Sequence, residues 1–259
     1  MDSIAYSLAN PNKVLDKTGQ PIKVLSDKGN MVFQYTEKTE EQLKLSADWI
    51  MNDILTKCGA THYIGFIKNV HTTQSRLAIN PEYKANRKAD APPWWLFVKL
   101  YLHSVWDIQL ANNAEVDDLV NITRLQLPDS FIVAVDGDLL GLEGTHYNWK
   151  TNEWITVTKE QANRKFFSDM ICGQKGDNIH GLKGKGEKYV NQLFTKIIHQ
   201  TDLEYAELVY SAYLTHYGNV KQATKEYYKN YFSLHILDQK EGFTIPEPIE
   251  FKKKEINLL

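Results

Sequence analysis

The chain has 259 residues, a formal net charge of −2, 42% hydrophobic residues and 24% charged residues. These values are ordinary for a folded soluble protein, and the net charge alone gives no indication of nucleic acid. No apolar run approaches the roughly 20 residues of a membrane helix, and no secretion leader opens the chain. Cys58 and Cys172 lie far apart and indicate free thiols, so we expect a cytoplasmic protein without a membrane segment.

Helices are predicted where apolar residues recur at helical spacing between a cap and a stop. Before the first helix, residues 8–30 are rich in Asn, Lys, Asp and Gly and are predicted to form loops with a hairpin. The segment "TEEQLKLSADWIMNDILTKCG" follows, with Thr39 as its N-cap and Gly59 as its stop. Next, "HYIGFI" is predicted to be a short buried strand. The segment "APPWWLFVKLYLHSVWDIQL" then begins with prolines, which suit the first turn of a helix.

Helix and strand alternate in the middle of the chain. The segment "NAEVDDLVNITRLQL" predicts another helix, and "DSFIVAVDGD" is the clearest strand, a β-rich run that ends in Asp-Gly. This alternation predicts an α/β fold with a mostly parallel sheet flanked by helices. After Thr158 the chain is predicted to be mainly helical. We therefore expect an α/β core in residues 1–158 and a helical region with an extended tail in residues 159–259.

Acidic residues cluster at two points of this predicted core. Glu115 and Asp118 are three apart in "EVDD" and share a helix face, whereas Asp117 points elsewhere. Asp136 and Asp138 lie two apart at the end of the best strand and point the same way. Because α/β proteins bind ligands at the carboxyl edge of the sheet, these carboxylates are predicted to crowd together there.

Crowded carboxylates are unfavourable unless protons or cations neutralise them. Mg²⁺, or Mn²⁺ in its place, prefers oxygen ligands, and two such ions about 4 Å apart suit phosphodiester hydrolysis. Each acidic motif alone is more often a solvated turn than a metal site. The metal prediction therefore depends on the motifs occurring together.

Two segments carry cations beside aromatic or glycine residues. "NPEYKANRK" places Tyr83 next to Lys84 and Arg87; such residues can bind phosphate and stack on an unpaired base, although composition alone favours a surface loop. "GDNIHGLKGKGEK" interleaves glycines and lysines after Asp177, which suits a sequence-independent grip on a duplex backbone. The residues of this glycine turn are Gly181, Lys183, Gly184, Lys185, Gly186 and Lys188.

In this order, "PEYKANR", "EVDD", "VAVDGDLLGL" and "GDNIHGLKGKGEK" resemble the motifs of the 5′-nuclease family. That family includes flap endonucleases, phage 5′-3′ exonucleases and the 5′-nuclease domain of bacterial DNA polymerase I, and the resemblance covers about residues 60–200. It implies a PIN-like core, a helix–three-turn–helix and a monomeric metal-dependent nuclease. The implied substrates are DNA with 5′ ends or flaps, with RNA–DNA hybrids as a further class, in phage or bacterial replication or repair.

By position, the resemblance implies a role for each motif. Lys84 and Arg87 would grip the scissile phosphate, and Tyr83 would stack near it. The glycine turn would clamp duplex DNA, and in relatives such a turn can hold a K⁺ ion through backbone carbonyls. The implied ligands of two divalent ions are Asp2, Glu115, Asp117, Asp118, Asp136, Asp138 and Asp177, with Asp136 and Asp138 also catalytic.

Three departures from the family pattern bear on catalysis. Asp2 lies closer to Tyr6 than the family spacing, so either Asp2 acts from a shifted position or the chain lacks the first strand. No aspartate ends the "HYIGFIKN" strand, and Gln174 stands where relatives often carry a second acid. The alternatives are therefore a weakened or inactive relative that binds branched DNA and, less favoured, a PIN-type ribonuclease.

Overall fold

The structure, a computed structural model, describes residues 1–87 and 91–256. Backbone contacts divide the chain into two compact units, each built from segments that are discontinuous in sequence. The first unit contains Met1–Ile67, Asp90–Gln109 and Pro246–Leu259, and the second contains Lys68–Ala89 and Leu110–Ile245. The predicted division after residue 158, between a nuclease core and a DNA-binding region, stays a prediction.

The described residues form nine α-helices and thirteen short strands. The helices are α1 (Asp2–Ala9), α2 (Glu40–Lys57), α3 (Gln74–Ile79), α4 (Trp95–Val105), α5 (Val116–Gln126), α6 (Lys159–Cys172), α7 (Glu187–Phe194), α8 (Asp202–Tyr217) and α9 (Val220–Leu234). The strands are β1 (Asn12–Lys13), β2 (Lys23–Leu25), β3 (Met31–Phe33), β4 (Tyr35–Thr36), β5 (His62–Tyr63), β6 (Phe66–Lys68), β7 (Gln109–Ala111), β8 (Ile132–Val133), β9 (Gly144–Asn148), β10 (Glu153–Val157), β11 (Gly173–Gln174), β12 (Ile179–His180) and β13 (Ile249–Glu250). Among the described helices, none has both the length and the apolar character needed to cross a membrane.

Helices α1, α2 and α4 pack against one another in the first unit. Helix α2 begins at a capping box, in which the Thr39 hydroxyl accepts the Gln42 N–H and the Gln42 side chain accepts the Thr39 N–H. The helix predicted between Thr39 and Gly59 is therefore confirmed. Trp106 is buried at the end of α4 and donates its indole N–H to Asp48 of α2 at 2.7 Å.

The N-terminal polar segment forms a ribbon of short antiparallel strands. Strand β2 pairs with β3, and β1 pairs with β4, which confirms the predicted hairpin. The predicted strand "HYIGFI" is divided in two. Its first part, β5, pairs with β13 near the C-terminus, and the Gly65 carbonyl that follows accepts the Gln109 N–H at 2.8 Å.

A three-stranded sheet in the order β10–β9–β8 forms the main β layer of the second unit. Strand β8 pairs in parallel with β9, and β9 pairs antiparallel with β10. Only Ile132 and Val133 of the predicted strand "DSFIVAVDGD" form β8, because the chain then turns and a 3-10 helix begins at Asp138. The α/β character is confirmed. The prediction of a mostly parallel sheet is wrong for the strands paired here, since β8–β9 is parallel whereas β1–β4, β2–β3, β5–β13, β9–β10 and β11–β12 are antiparallel, and a PIN-like core stays a prediction.

Helices α6 to α9 surround the main apolar core of the second unit. Helix α6 begins at a second capping box, between Thr158 and Gln161, and packs against α7, α8 and α9. Met170, Ile171 and Tyr213 are completely buried in this core. The chain between α6 and α7 contains β11, a 3-10 turn at Lys175–Asp177 and β12. It is the glycine-rich segment in which the sequence predicts a helix–three-turn–helix, and that assignment stays a prediction.

Candidate active site

The second unit contains a cavity of about 450 Å³ with many acidic side chains in its wall. The predicted site residues that line it are Tyr83, Glu115, Asp117, Asp138 and Asp177. Asp136 adjoins them, since its charge raises the pKa of both Asp117 and Asp138. The structure thus brings the predicted carboxylates together, while their individual roles stay predictions.

The start of helix α5 positions the acids of "EVDD". Glu115 is the N-cap residue, and its N–H donates to Asp118 Oδ2 at 3.1 Å as part of a capping box. Asp117 and Asp118 lie in the first turn, where the helix dipole favours negative charge. The backbone of this one turn therefore holds three carboxylates side by side, of which Glu115 and Asp117 line the cavity.

Asp118 is fully buried and is neutralised by Arg76 of α3. Arg76 Nη1 lies 2.8 Å from Asp118 Oδ2, and Arg76 Nη2 lies 2.7 Å from Asp118 Oδ1. Arg76 also lies 3.3 Å from Glu115 Oε2 and donates to the His235 carbonyl at 2.9 Å. The Leu237 N–H completes the set by donating to Asp118 Oδ1 at 3.0 Å. Both oxygens of Asp118 are therefore engaged inside the protein.

The hydroxyl of Tyr83 lies between two carboxylates. It is 2.9 Å from Glu115 Oε2 and 2.9 Å from Asp177 Oδ2, although a hydroxyl has only one proton to donate. Burial, reinforced by the charges of Glu115 and Asp177, raises the pKa of Tyr83 well above its usual range. The ring is only 3% exposed, so no base stacks on it in this conformation, and the stacking role stays a prediction.

Lys84 and Arg87 bring positive charge to the same acids. Lys84 has a φ of 57°, and its N–H donates to the Asp177 carbonyl at 2.8 Å. Its Nζ lies 2.6 Å from Glu115 Oε1 and 3.5 Å from Asp177 Oδ2. Arg87, whose side chain is 53% exposed, forms an ion pair with Asp177 Oδ1. The two predicted phosphate-binding cations therefore face the acidic cavity.

Glu115, Asp118 and Asp177 are the paired acids, since each has an arginine or lysine partner; Asp117, Asp136 and Asp138 are the open acids. Within the described ranges, the open acids have no such ion pair. Burial, together with the charges of Asp136 and Glu115, raises the pKa of Asp117 to about 7. Burial and Asp136 also raise the pKa of Asp138. The charges of Lys84 and Lys165 act against these shifts without forming an ion pair with an open acid.

Short hydrogen bonds orient two of the open acids. Gln174 Nε2 donates to Asp138 Oδ1 at 2.5 Å, so the glutamine that replaces an expected acid supports a neighbouring one. The Asp138 N–H donates to Asp136 Oδ1 at 3.0 Å. These bonds leave the negative charge of both carboxylates in place.

The chemistry of the open acids fits a hard divalent cation, since they supply oxygen donors that are not paired with a lysine or an arginine. In the part of the chain that the structure describes, however, no three Asp, Glu, His or Cys side chains are grouped closely enough to hold a metal ion. The open acids therefore match a divalent cation in the type of donor atom and in charge, but not in a close grouping of three ligands. Asp117, Asp136 and Asp138 are the residues available to an ion, whereas the paired acids already have cationic partners.

Asp2 lies outside this unit. It is the first residue of α1 in the first unit, and its role as a metal ligand stays a prediction.

Close packing explains the glycine at the start of the glycine turn. A Cβ at Gly181 would lie 2.1 Å from the Ile171 carbonyl oxygen, so the neighbouring backbone requires glycine there. Gly184 has a φ of 76° and open space around it, and Gly186 also has open space. Gly181 is therefore required by close packing, whereas Gly184 and Gly186 lie at an open surface.

The lysines of the glycine turn differ in their surroundings. Lys183 and Lys188 are exposed, whereas Lys185 Nζ lies 4.3 Å from the centre of the Tyr189 ring. The surface of this turn is therefore basic, as a backbone-binding role requires, and the role itself stays a prediction.

Arg76 is a site residue that no sequence motif identifies. The only signal is a single arginine in the short helix α3, directly before "NPEYK", and its partner Asp118 is 42 residues away in sequence. Such a pair is defined by tertiary structure and has no local pattern.

Comparison with known proteins identifies the fold. No family model and no curated protein matches this chain. A 5′-exonuclease of bacteriophage T5 with bound zinc is similar in structure, with a TM-score of 0.56 and 16% identity over 74% of this chain and 80% of that chain. A complex of the bacteriophage T5 flap endonuclease with DNA and metal ions has a TM-score of 0.54 and 16% identity over 74% and 79%. The chain therefore has the fold of these 5′-nucleases.

Proposed function

We propose that this protein is a divalent-metal-dependent 5′-nuclease that hydrolyses DNA phosphodiesters at junctions between single strand and duplex. The observation that carries this proposal is the meeting of "EVDD", "DGD", "GDN" and "PEYKANR" at one cavity, in a chain with the fold of 5′-exonucleases. Crowded carboxylates facing lysine and arginine suit phosphoryl transfer, in which charge must be balanced on both sides of the reacting phosphate.

The open acids would hold the divalent cation, with Mg²⁺ or Mn²⁺ as the proposed ions. When bound, such an ion activates water and stabilises the negative charge of the leaving oxygen. Glu115 and Asp177 lie beside the open acids and extend the donor set to the two ions proposed from the sequence. Asp118, held by Arg76, would orient the first turn of α5, and Asp2 would contribute only if the first unit brings it to the cavity.

Lys84 and Arg87 would bind the scissile phosphate. In this structure they neutralise Glu115 and Asp177. Once those acids have another cation nearby, both side chains can turn to a phosphate, because both are long and both bind phosphate. Tyr83 would keep Glu115 and Asp177 in place during this exchange through its shared hydroxyl.

The glycine turn would hold the duplex. The exposed Lys183 and Lys188, with Lys185 on Tyr189, provide charge for a phosphate backbone without reading bases. The open space at Gly184 and Gly186 leaves backbone groups accessible to a phosphate or to a K⁺ ion. DNA with 5′ ends or flaps is therefore the proposed substrate, with RNA–DNA hybrids as the further class. The proposed setting is phage or bacterial replication or repair in the cytoplasm.

A second candidate function is a relative that binds branched DNA without cutting it. Two observations favour it: Gln174 replaces an expected acid, and Glu115 and Asp177 are neutralised by the protein's own cations. A protein of this kind would keep the grip on DNA and lose hydrolysis.

The test compares cutting and binding on the same substrates. A 5′-flap duplex, a blunt duplex and a single strand, each labelled at one end, are incubated with Mg²⁺ or Mn²⁺ and resolved on a denaturing gel. The nuclease is expected to cut the flap near its junction, and removal of nucleotides from the blunt duplex would report exonuclease activity at a 5′ end. Tight binding of the flap without cutting in either metal would instead establish the second candidate.

A further inference from the structure

Helix α9 carries an exposed stripe that the proposed active site does not use. The basic–aromatic stripe consists of Lys221, Lys225, Tyr228 and Phe232, which lie on one helix face at spacings of four, three and four residues. All four side chains are exposed, Tyr228 to 51% and Phe232 to 47%. The opposite face of the helix, with the buried Tyr227 among its residues, packs into the core. The stripe is therefore not needed to hold the unit together.

The two aromatic rings of the stripe are already stacked on each other at the surface. Their centres are 5.9 Å apart and their planes are 20° apart. Exposed rings in this arrangement leave flat apolar faces in contact with water, which favours a planar partner. Unpaired nucleobases are such partners, because every base has a flat face that stacks on tyrosine or phenylalanine.

The charge of the stripe indicates an anionic partner. Glu226, an acidic residue of α9, forms an ion pair with Lys229. Glu226 therefore neutralises Lys229 and not the lysines of the stripe. Lys221 and Lys225 have no acidic partner within the described ranges. Two uncompensated lysines, followed by two stacked rings, match a chain of phosphates with unpaired bases.

The position of the stripe connects it with the acidic cavity. From Lys221 to Phe232 the helix rises about 16 Å. The residues that follow directly, Ser233, Leu234 and His235, line the cavity wall. A strand lying along the stripe would therefore run towards the cavity.

We propose that the basic–aromatic stripe binds single-stranded DNA, with bases stacked on Tyr228 and Phe232 and phosphates held by Lys221 and Lys225. The partner class rests on the proposed nuclease function, which supplies a single strand next to the cavity. The stripe is a surface separate from the cavity and from the glycine turn. Duplex DNA is not its ligand, because paired bases do not offer their faces for stacking.

The test measures binding of a fluorescent oligodeoxythymidine of about 12 nucleotides, a length within the usual single-strand site size. Chelator is present, so that no cleavage interferes. Fluorescence anisotropy compares the wild type with Tyr228→Ala/Phe232→Ala and with Lys221→Gln/Lys225→Gln. The matched controls are Tyr35→Ala/Trp49→Ala, two similarly exposed aromatics of the first unit, and Lys17→Gln/Lys28→Gln. Circular dichroism establishes that each variant is folded.

The aromatic variant is expected to weaken binding about 10-fold or more, because stacking on two rings is lost, and to leave the salt dependence unchanged. The lysine variant is expected to weaken binding and to lower the salt slope by about 1.4, the value for two phosphate contacts on a single strand. The controls are expected to bind like the wild type. Affinities of both stripe variants equal to wild type would overturn the proposal.

Three further outcomes distinguish this inference from a contact between copies of the chain and from the nuclease proposal. If the stripe variants bind DNA normally but sediment as a smaller species, the stripe is a contact between copies of this chain and the proposal is wrong. If the wild type binds the oligonucleotide through the stripe but cuts no flap, the nuclease proposal fails and this inference stands. If the variants both bind and cut like the wild type, this inference alone fails.

Discussion

The guanidinium of Arg76 and the carboxylate of Asp118 form a two-point ion pair, with Nη1 2.8 Å from Oδ2 and Nη2 2.7 Å from Oδ1. Asp118 is 0% exposed and Arg76 is 4% exposed. Arg76→Leu is expected to lower the free energy of unfolding by about 3–5 kcal/mol, because it leaves a buried carboxylate without its cation. Urea denaturation measures this loss.

A matched control for Arg76 is an ion pair at the surface. Lys57 and Asp53 lie 2.9 Å apart on α2, with side chains 46% and 25% exposed. Lys57→Ala is expected to cost less than about 1 kcal/mol, as exposed pairs do. Equal losses for Arg76→Leu and Lys57→Ala would show that the buried pair is not a structural anchor of the site.

Tyr83→Phe tests the hydroxyl shared by Glu115 and Asp177. Removing it leaves two buried carboxylates without their common donor, and the expected loss of unfolding free energy is about 1–3 kcal/mol. Tyr63→Phe is the control, because the Tyr63 hydroxyl donates to a neutral acceptor, the Trp106 carbonyl, at 2.9 Å. The expected loss of unfolding free energy for Tyr63→Phe is about 1 kcal/mol. A smaller loss for Tyr83→Phe than for Tyr63→Phe would contradict the role given to Tyr83.

Asp117→Asn is expected to stabilise the metal-free protein above neutral pH. The pKa of Asp117 is raised from 3.8 to about 7 in the folded state, so its ionised form opposes folding. Stability should therefore rise as the pH falls from above 7 towards 4, since the folded protein takes up a proton that the unfolded chain does not yet bind. At about pH 8 the asparagine variant should gain at least about 1 kcal/mol and lose part of this pH dependence.

Urea midpoints measured in chelator at several pH values test the Asp117 prediction. Asp27→Asn, in the exposed turn of the N-terminal ribbon, is the control and should change little. An unchanged or lowered midpoint for Asp117→Asn above neutral pH would mean that the open acids do not repel one another.

Alanine substitutions in the glycine turn distinguish the closely packed glycine from a glycine at the surface. Gly181→Ala would place a Cβ 2.1 Å from the Ile171 carbonyl oxygen, so the turn must rearrange and a loss of about 1–3 kcal/mol is expected. Gly186→Ala meets open space and is expected to change stability by less than about 1 kcal/mol. Thermal unfolding measures both variants, and similar unfolding temperatures would contradict the close packing at Gly181.

The elements with local signals could be predicted from the sequence. Helix α2 begins where Thr39 and Gln42 form their capping box, because both partners lie within one turn. The carboxylates of "EVDD" and "DGD" meet because Asp117 lies in the first turn of a helix and Asp136 follows a strand of the same unit. For these carboxylates, the sequence motif and its position on a helix or after a strand lead to the same site.

The features that depend on distant partners could not be predicted. Strand β8 contains only Ile132 and Val133, since its length is set by pairing with β9 rather than by the β-rich run itself. The neutralisation of Glu115 by Lys84 joins residues 31 apart, and Arg76 reaches Asp118 across 42. No periodicity or cap in the sequence encodes such contacts.

In the proposed function, the carboxylates of the acidic cavity use a divalent cation to cut DNA. Cleavage of a labelled 5′-flap duplex by the wild type and by Asp136→Asn/Asp138→Asn, each in Mg²⁺ and in chelator, tests it most directly. Asp16→Asn/Asp27→Asn, in the exposed ribbon, is the charge-matched control. Cutting is expected from the wild type and the control in Mg²⁺, and none is expected from the double variant or in chelator. Equal cutting by the double variant, or cutting in chelator, would contradict it.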